Sequence, residues 1–279
     1  MVRDLSRHLN TCSINTATLG FQAPIGEVID AVARAGFGMI APWRREVEGG
    51  DVRAIAKHMR DAGLALSGYC RSTYIPACDA QSFRNNIKAN KRALDDAALL
   101  GAPCLVMVVG GLPAGSKDLQ SARQQVKEAC AELAVYGAMI GVKIVLEPLH
   151  PVYAADRSCL TLLSEALDWC DEIDHPNIGV AIDCYHVWWD PNLTRDITRA
   201  SKRIFAYHVC DWLVPTTDVL NDRGMMGDGV IELKAMRADI EAAGYAGAVE
   251  VEIFSAQNWW KRGMAETLQI CRDRLISAT

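Results

Sequence analysis

The chain has 279 residues, 50% of them hydrophobic and 23% charged, with a formal net charge of −5. That is an ordinary globular composition, long enough for two small domains or for one α/β barrel of about 250 residues. It holds no dense Lys/Arg cluster and no run approaching the ~20 apolar residues of a membrane span, so neither nucleic acid nor a membrane is an expected partner. The opening MVRDLSRHLNTCSINTATLG lacks an apolar h-region, and a cytoplasmic location is expected. Ten cysteines occur without a single C-x-x-C. With no export signal they read as reduced thiols, and Cys104, Cys184 and Cys210, inside apolar runs, as small buried hydrophobes.

In chain order, a first strand is expected in LNTCSINTA from Leu9, then a helix in PIGEVIDAVARAG that stops at Gly36. FGMIAPW from Phe37 reads as the second strand. DVRAIAKHMRDAG follows as a helix, N-capped by Asp51 and stopped by Gly63. LALSGYC from Leu64 is the third strand and AQSFRNNIKANKRALDDAALLG, ending at Gly101, its helix. PCLVMVVGG from Pro103 is the fourth, followed by SARQQVKEACAELAVYGAMIG to Gly141. The fifth strand is VKIVLEPLH from Val142, with the helix CLTLLSEALDWCDEI. The sixth is IGVAIDCYH from Ile178 and the seventh IFAYHVCDW from Ile204. IELKAMRADIEAAG is the helix before the eighth strand, AVEVEIFS from Ala248, and WKRGMAETLQICRDRLI is the last helix. Eight strands alternating with about eight helices imply parallel strands with helical crossovers. Their near-continuous apolar character implies burial on both faces. No G-x-G-x-x-G follows the first strand, which disfavours a dinucleotide-binding open sheet. The expected fold is a single (β/α)8 TIM barrel, one domain over residues 1–279.

In such a barrel the carboxyl ends of the strands face the active site. The last four strands carry unusual ends: Glu147 in the fifth, Asp183 and His186 in the sixth, His208 and Asp211 in the seventh, Glu250 and Glu252 in the eighth. Any one of these is as readily a helix cap, a solvated loop residue or a hydrogen-bonded core histidine. Together they gather ionisable groups in apolar segments, which is costly unless something compensates. A divalent cation would do so. Oxygen ligands with one imidazole suit Mn²⁺ or Mg²⁺, with Zn²⁺ and Co²⁺ as alternatives. Glu250 and Glu252 share a face by the period of two. Glu252, nearer the carboxyl end, is the better ligand.

The segments EPLHPVYAADRS, IDCYHVWWDP, HVCDW, NDRGMMGDG and VEIFSAQNWWKR, with GGLPAGSKD after the fourth strand, resemble the sugar phosphate isomerase/epimerase family of the xylose-isomerase-like TIM-barrel superfamily. That superfamily includes ketose 3-epimerases, hydroxypyruvate isomerase, inosose dehydratase and endonuclease IV. The resemblance spans nearly the whole chain and is densest from Gly110 onwards. It implies one metal held by Glu147, Asp183, His208 and Glu252, with Mn²⁺ the first candidate. It places His186 beside the substrate. Arg223 becomes the basic residue that holds a substrate oxygen, at a longer spacing from His208 than in the ketose 3-epimerases. It also implies Glu147 and Glu252 as the acid/base pair of an enediolate mechanism acting on a sugar or keto-sugar.

Trp43, Trp188 and Trp189 are candidates for an apolar wall against the sugar, with ordinary packing as the alternative. Lys117, Arg157, Lys261 and Arg262 are basic loop residues that could meet a phosphate. The reading favours an unphosphorylated polyol or keto-sugar. The alternative activity is a metal-dependent dehydratase or lyase, which begins with the same proton abstraction. A DNA-repair nuclease like endonuclease IV is disfavoured because the second and third strands end in APWRRE and GYCRST, without histidine, and GDGVIE lacks a D-x-H. Homo-oligomerisation is left open.

Overall fold

The short β-branched runs pair side by side because each buries both faces, and the intervening amphipathic segments cover them. The computed structural model describes residues 2–279. Its strands are β1 (Cys12–Asn15), β2 (Met39–Ala41), β3 (Ala65–Leu66), β4 (Tyr69–Cys70), β5 (Cys104–Met107), β6 (Lys143–Leu146), β7 (Ile178–Asp183), β8 (Ile204–Val209), β9 (Asp211–Trp212), β10 (Arg223–Gly224) and β11 (Val249–Val251). Its helices are α1 (Ile25–Arg34), α2 (Arg44–Val47), α3 (Val52–Asp61), α4 (Ala80–Leu100), α5 (Leu119–Ile140), α6 (Leu163–Ile173), α7 (Cys184–Val187), α8 (Leu193–Ala200), α9 (Leu233–Ala242) and α10 (Met264–Ala278).

Nine strands form one sheet in the order β3-β2-β1-β11-β8-β7-β6-β5-β4, and every neighbouring pair is parallel. β3 and β4 are the two halves of the third barrel strand, interrupted at Ser67–Gly68. One half pairs with β2 and the other with β5. A bridge between Trp43, just beyond β2, and Cys70 of β4 joins the two ends of the sheet, so the eight-stranded barrel closes at its broken strand. The antiparallel ribbon β9–β10 stands outside the sheet and carries Arg223. Between the sixth and seventh barrel strands, where the sequence patterns named no helix, α8 completes the alternation. Asp51, Asp79 and Asp118 cap α3, α4 and α5 by accepting backbone N–H groups of their first turns. All ten cysteines are free thiols, and nine are buried.

Two features of the strands position the site. Cys104, Val145, Ala181 and Ala206 make a small apolar cluster inside the barrel. Two residues beyond the last three, on the same face, stand Glu147, Asp183 and His208. The second feature is a bulge. β7 and β8 pair Val180 with Ile204 and then Ala181 with Ala206, skipping Phe205. This slip sets Asp183 opposite His208. Without it Asp183 would face Tyr207, and His208 would point to the other side of the sheet. Gly179 makes room for the bulge, because a Cβ there would lie 2.4 Å from the Arg203 carbonyl and 2.5 Å from the Phe205 ring.

Candidate metal centre and substrate pocket

Glu147, Asp183, His208 and Glu252 converge at the carboxyl end of the barrel, each offering a ligand atom, and these atoms all lie within 4.8 Å of one another. All four are buried, Asp183 completely and Glu252, the most accessible, at 5%. Register explains the convergence. Asp183 pairs with His208, and His208 in turn pairs with Glu250 on β11. Glu252 stands one pleat above Glu250, and Glu147 directly follows β6.

His208 lies between carboxylates, with Nδ1 3.0 Å from Glu147 Oε1 and Nε2 3.6 Å from Glu250 Oε1. The 3.0 Å approach is not aligned as a hydrogen bond. Glu147 Oε1 and both His208 nitrogens are buried without a hydrogen-bond partner among the described residues. Orphaned buried polar atoms are rare in folded proteins. Here they sit on two of the four convergent side chains, which fits a cation bound among them. Three carboxylates and one imidazole suit a borderline-to-hard divalent ion.

A neutral scaffold holds these charges. Asn15, at the end of β1, donates from Nδ2 to Glu250 Oε1 (2.8 Å) and Glu252 Oε1 (2.9 Å). Its Oδ1 accepts from Trp43 Nε1 at 2.7 Å. Ser67, at the break in the third strand, donates to Glu250 Oε2 at 2.7 Å and shares a 2.6 Å hydrogen bond with Ser13. Glu250 is thus a support beneath Glu252 and His208. Asp211 accepts the amides of Trp212, Gly227 and Ile231, and so braces a loop rather than facing the pocket.

Arg223 reaches in from β10. Its Nη1 donates to Asp183 Oδ2 (3.0 Å) and Glu252 Oε2 (3.2 Å), and its guanidinium lies between the rings of Tyr185 and Phe254. His186 Nδ1 accepts the His150 amide at 3.2 Å, and its Nε2 lies 3.2 Å from Arg223 Nη2 and 3.5 Å from Asp183 Oδ2. Burial, opposed by Asp183, lowers the His186 pKa to about 3, and the ring is neutral at physiological pH. Burial raises Glu252 to about 8; Glu147 and Asp183 add to this, while Arg223 and His208 oppose it. Burial also acts to raise Asp183, but Arg223, His186 and His208 outweigh it and hold its carboxyl below the usual range. Burial acts to lower His208, yet Glu250, Glu147 and Glu252 together hold its imidazole well above its ordinary value.

Above the quartet opens a cavity of about 420 Å³. Glu147, Glu252, His186 and Arg223 line its depth. Trp43 is part of an aromatic wall with Phe21, Phe254 and Trp260, ring centroids 5.4–6.3 Å apart. The other side is Val108, Leu149 and Tyr153. The structure does not bring the remaining sequence candidates here. Trp188 packs against Trp212 and Trp189 donates to the His186 carbonyl, both outside the cavity lining. Lys117 is exposed on the loop before α5. Lys261 bonds Gln257 and Arg262 pairs with Glu266, again away from the cavity. Of the basic loop residues, only Arg157 lines it, joined by Arg45 and Arg71, which no sequence motif singles out.

A family model described as xylose isomerase-like TIM barrel matches residues 29–274. The inosose isomerase of Halalkalibacterium halodurans is 26% identical over 206 residues, covering 71% of this chain and 69% of that one. The 3-dehydroshikimate dehydratase of Pseudomonas putida is 25% identical over 248 residues, which are 86% of this chain but span only 37% of the dehydratase. The L-ribulose 3-epimerase of a Methylomonas species is 22% identical over 241 residues, with 83% and 79% covered. Among solved structures, protein SMc04130 of Sinorhizobium meliloti is 50% identical, with a TM-score of 0.94 over 97% of this chain and 98% of that one. The IOLI protein, solved with a bound zinc atom, shares the fold at 18% identity with a TM-score of 0.83, covering 96% and 97% of the two chains. The chain belongs to the xylose isomerase-like TIM barrel family, and its relatives include an inosose isomerase, a 3-dehydroshikimate dehydratase and an L-ribulose 3-epimerase.

Proposed function

We propose that the chain is a divalent-metal-dependent isomerase or epimerase of a sugar or keto-sugar, with Glu147 and Glu252 as its acid/base pair. The observation that carries this reading is the buried quartet, with ligand atoms within 4.8 Å of one another beneath a cavity that both glutamates line. Glu147, Asp183, His208 and Glu252 would hold the ion, with Mn²⁺ the first candidate and Mg²⁺, Co²⁺ or Zn²⁺ as alternatives. When bound, the ion supplies Lewis-acid polarisation of a carbonyl and its neighbouring hydroxyl.

The protein's own groups do the rest. One glutamate takes the proton from the carbon next to the carbonyl, leaving an enediolate of the substrate. The other returns a proton to the opposite face of that carbon or to its neighbour, giving the epimer or the isomer. Arg223 and neutral His186, both on the cavity wall, orient substrate oxygens, and Arg223 offsets part of the charge of Asp183 and Glu252. The aromatic wall around Trp43 excludes water from the reacting carbons.

The match to a dehydratase along 86% of the chain supports a second reading, elimination of a β-hydroxyl from the same enediolate. Incubation with candidate sugars and cyclic keto-polyols in D₂O separates the two. Deuterium incorporation without loss of water is the expected result, loss of a hydroxyl establishes the lyase, and neither outcome with any metal-loaded sample sinks both.

A further inference from the structure

The cavity wall above the quartet is unusual in its hydrogen-bonding groups. A neutral polyol is normally held by neutral amides, hydroxyls and carboxylates. Here most such groups are already engaged. Trp43 Nε1 donates to Asn15, Trp260 Nε1 to the Ala17 carbonyl at 2.8 Å, and the Tyr153 hydroxyl to the Val219 carbonyl at 2.6 Å. Asn221 is the one side-chain amide on the wall, and Glu147 and Glu252 are its only carboxylates. Away from Arg223 and His186 at the base of the cavity, the donors that remain are guanidinium groups: Arg71, Arg157 and Arg45.

These three are held by aromatic faces rather than by acids. Arg71 lies 4.6 Å over Tyr74, Arg157 5.8 Å over Tyr153 and Arg45 4.3 Å over Phe21. Among the described residues neither Arg71 nor Arg45 makes a salt bridge, and Arg157 only approaches the adjacent Asp156, at 3.9 Å. By contrast Arg199 and Arg274, on the outer helices α8 and α10, are paired with carboxylates. A ring beneath the guanidinium plane fixes the group without neutralising its charge, and it leaves N–H groups free even in Arg71, whose Nη1 donates to the adjacent Ser72 carbonyl at 3.4 Å.

Arg71 and Arg157 are also brought to one place. Tyr74 and Tyr153 belong to the same small apolar cluster, with Val108 and Leu149. Gly110 ties the two loops together, because its N–H donates to the Arg157 carbonyl at 2.9 Å and a Cβ there would meet Tyr74 at 2.8 Å. Both arginines follow barrel strands, Arg71 directly after β4 and Arg157 in the loop after β6. Arg45 stands across the cavity on the aromatic wall, and Arg45 and Arg71 also border the adjoining groove.

We infer that the substrate carries an anionic group, a carboxylate or a phosphate, which Arg71 and Arg157 grip while its carbonyl and hydroxyl end lies at the quartet. The planar guanidinium fork matches both oxyanions. This rests on the reading of the quartet as the reacting end, and it departs from the expectation of an unphosphorylated polyol or keto-sugar.

The test is calorimetric binding of three probes to the Mn²⁺-loaded full chain and to the metal-free chain: D-fructose, D-fructose 6-phosphate and 3-dehydroshikimate, which carries a carboxylate. At least one anionic probe should bind about tenfold or more tightly than D-fructose. The preferred probe names the group. The preference should shrink in high salt and fall to within about threefold of unity in R71A/R157A, but persist in K117A. An absence of preference, or a preference that survives R71A/R157A, overturns the inference. Deuterium exchange reads the chemistry separately. Exchange without anion preference sinks only this inference, and anion preference without exchange sinks only the isomerase reading.

Discussion

The two halves of the barrel contribute different chemistry to one site. The last four barrel strands deliver the ionisable groups: Glu147, Asp183, His208 and Glu252. The first three deliver neutral groups behind Glu252 and its support Glu250: Asn15 bonds both, Ser67 in the broken third strand bonds Glu250, and Trp43 and Ser13 hold Asn15 and Ser67 in turn. Charge is concentrated on one side and orientation supplied from the other. A buried carboxylate with fixed donors on one oxygen has little freedom to rotate, so the neutral half sets the geometry that the charged half uses.

Removing a charge should break this division most severely. E147Q and E252Q keep the shape of the side chain but lose both the proton transfer and a charged ligand. Turnover should fall at least about 10³-fold in each, measured on any substrate that exchanges deuterium. Near-normal turnover in either variant would remove that glutamate from the acid/base pair.

Loosening the neutral half should cost less. Asn15→Ala deletes the donor shared by Glu250 and Glu252 and the acceptor of Trp43. Metal affinity should drop by about 10–100-fold, the range for groups that orient ligands. The fold should be retained, as judged by an unchanged circular dichroism spectrum. Affinity within twofold of the native chain would mean that the charged half organises itself.

The smallest expected effect tests the bulge that joins β7 to β8. Gly179→Ala places a methyl against the Arg203 carbonyl and the Phe205 ring. A loss of about 1–3 kcal/mol in stability is expected from such overpacking, read by denaturant unfolding, along with weaker metal binding as Asp183 drifts from His208. Native stability and affinity together would show that the pairing tolerates a side chain there.

The same division separates what is legible in the sequence from what is not. Acids and a histidine inside apolar strands are conspicuous, because burying them needs a reason. All four members of the quartet therefore stand out among the ionisable strand-end residues, with the family resemblance narrowing the set, and the eight-strand alternation is legible as well. Asn15, Ser13 and Ser67 are not, because a neutral polar residue in a strand carries no charge signal and its partners lie on distant strands. The tryptophans divide for a local reason. After Asp183 the chain enters the single turn α7. His186, three residues on, returns to the side of Asp183, whereas Trp188, five residues on, is rotated about 140° away and packs on Trp212. Trp43, with no helical turn between it and its strand, stays on the wall. The meeting of Arg71 with Arg157 depends on loop paths that bring Tyr74 and Tyr153 into one cluster, a tertiary fact without a sequence period.

The central claim is that the quartet binds one divalent ion in place of protons. Titration of the full chain with Mn²⁺, followed calorimetrically in buffers of different ionisation enthalpy, tests it most directly. The account predicts one ion per chain and net proton release near neutral pH, since Glu252 sits at about 8 and His208 well above its ordinary value before the ion enters. Affinity should therefore rise by at least about tenfold per pH unit between pH 6 and 8, and less steeply once Glu252 is fully ionised and only His208 still releases a proton. It should be lost in H208A. No binding, more than one tight ion per chain, or binding that is indifferent to pH and to H208A would contradict it.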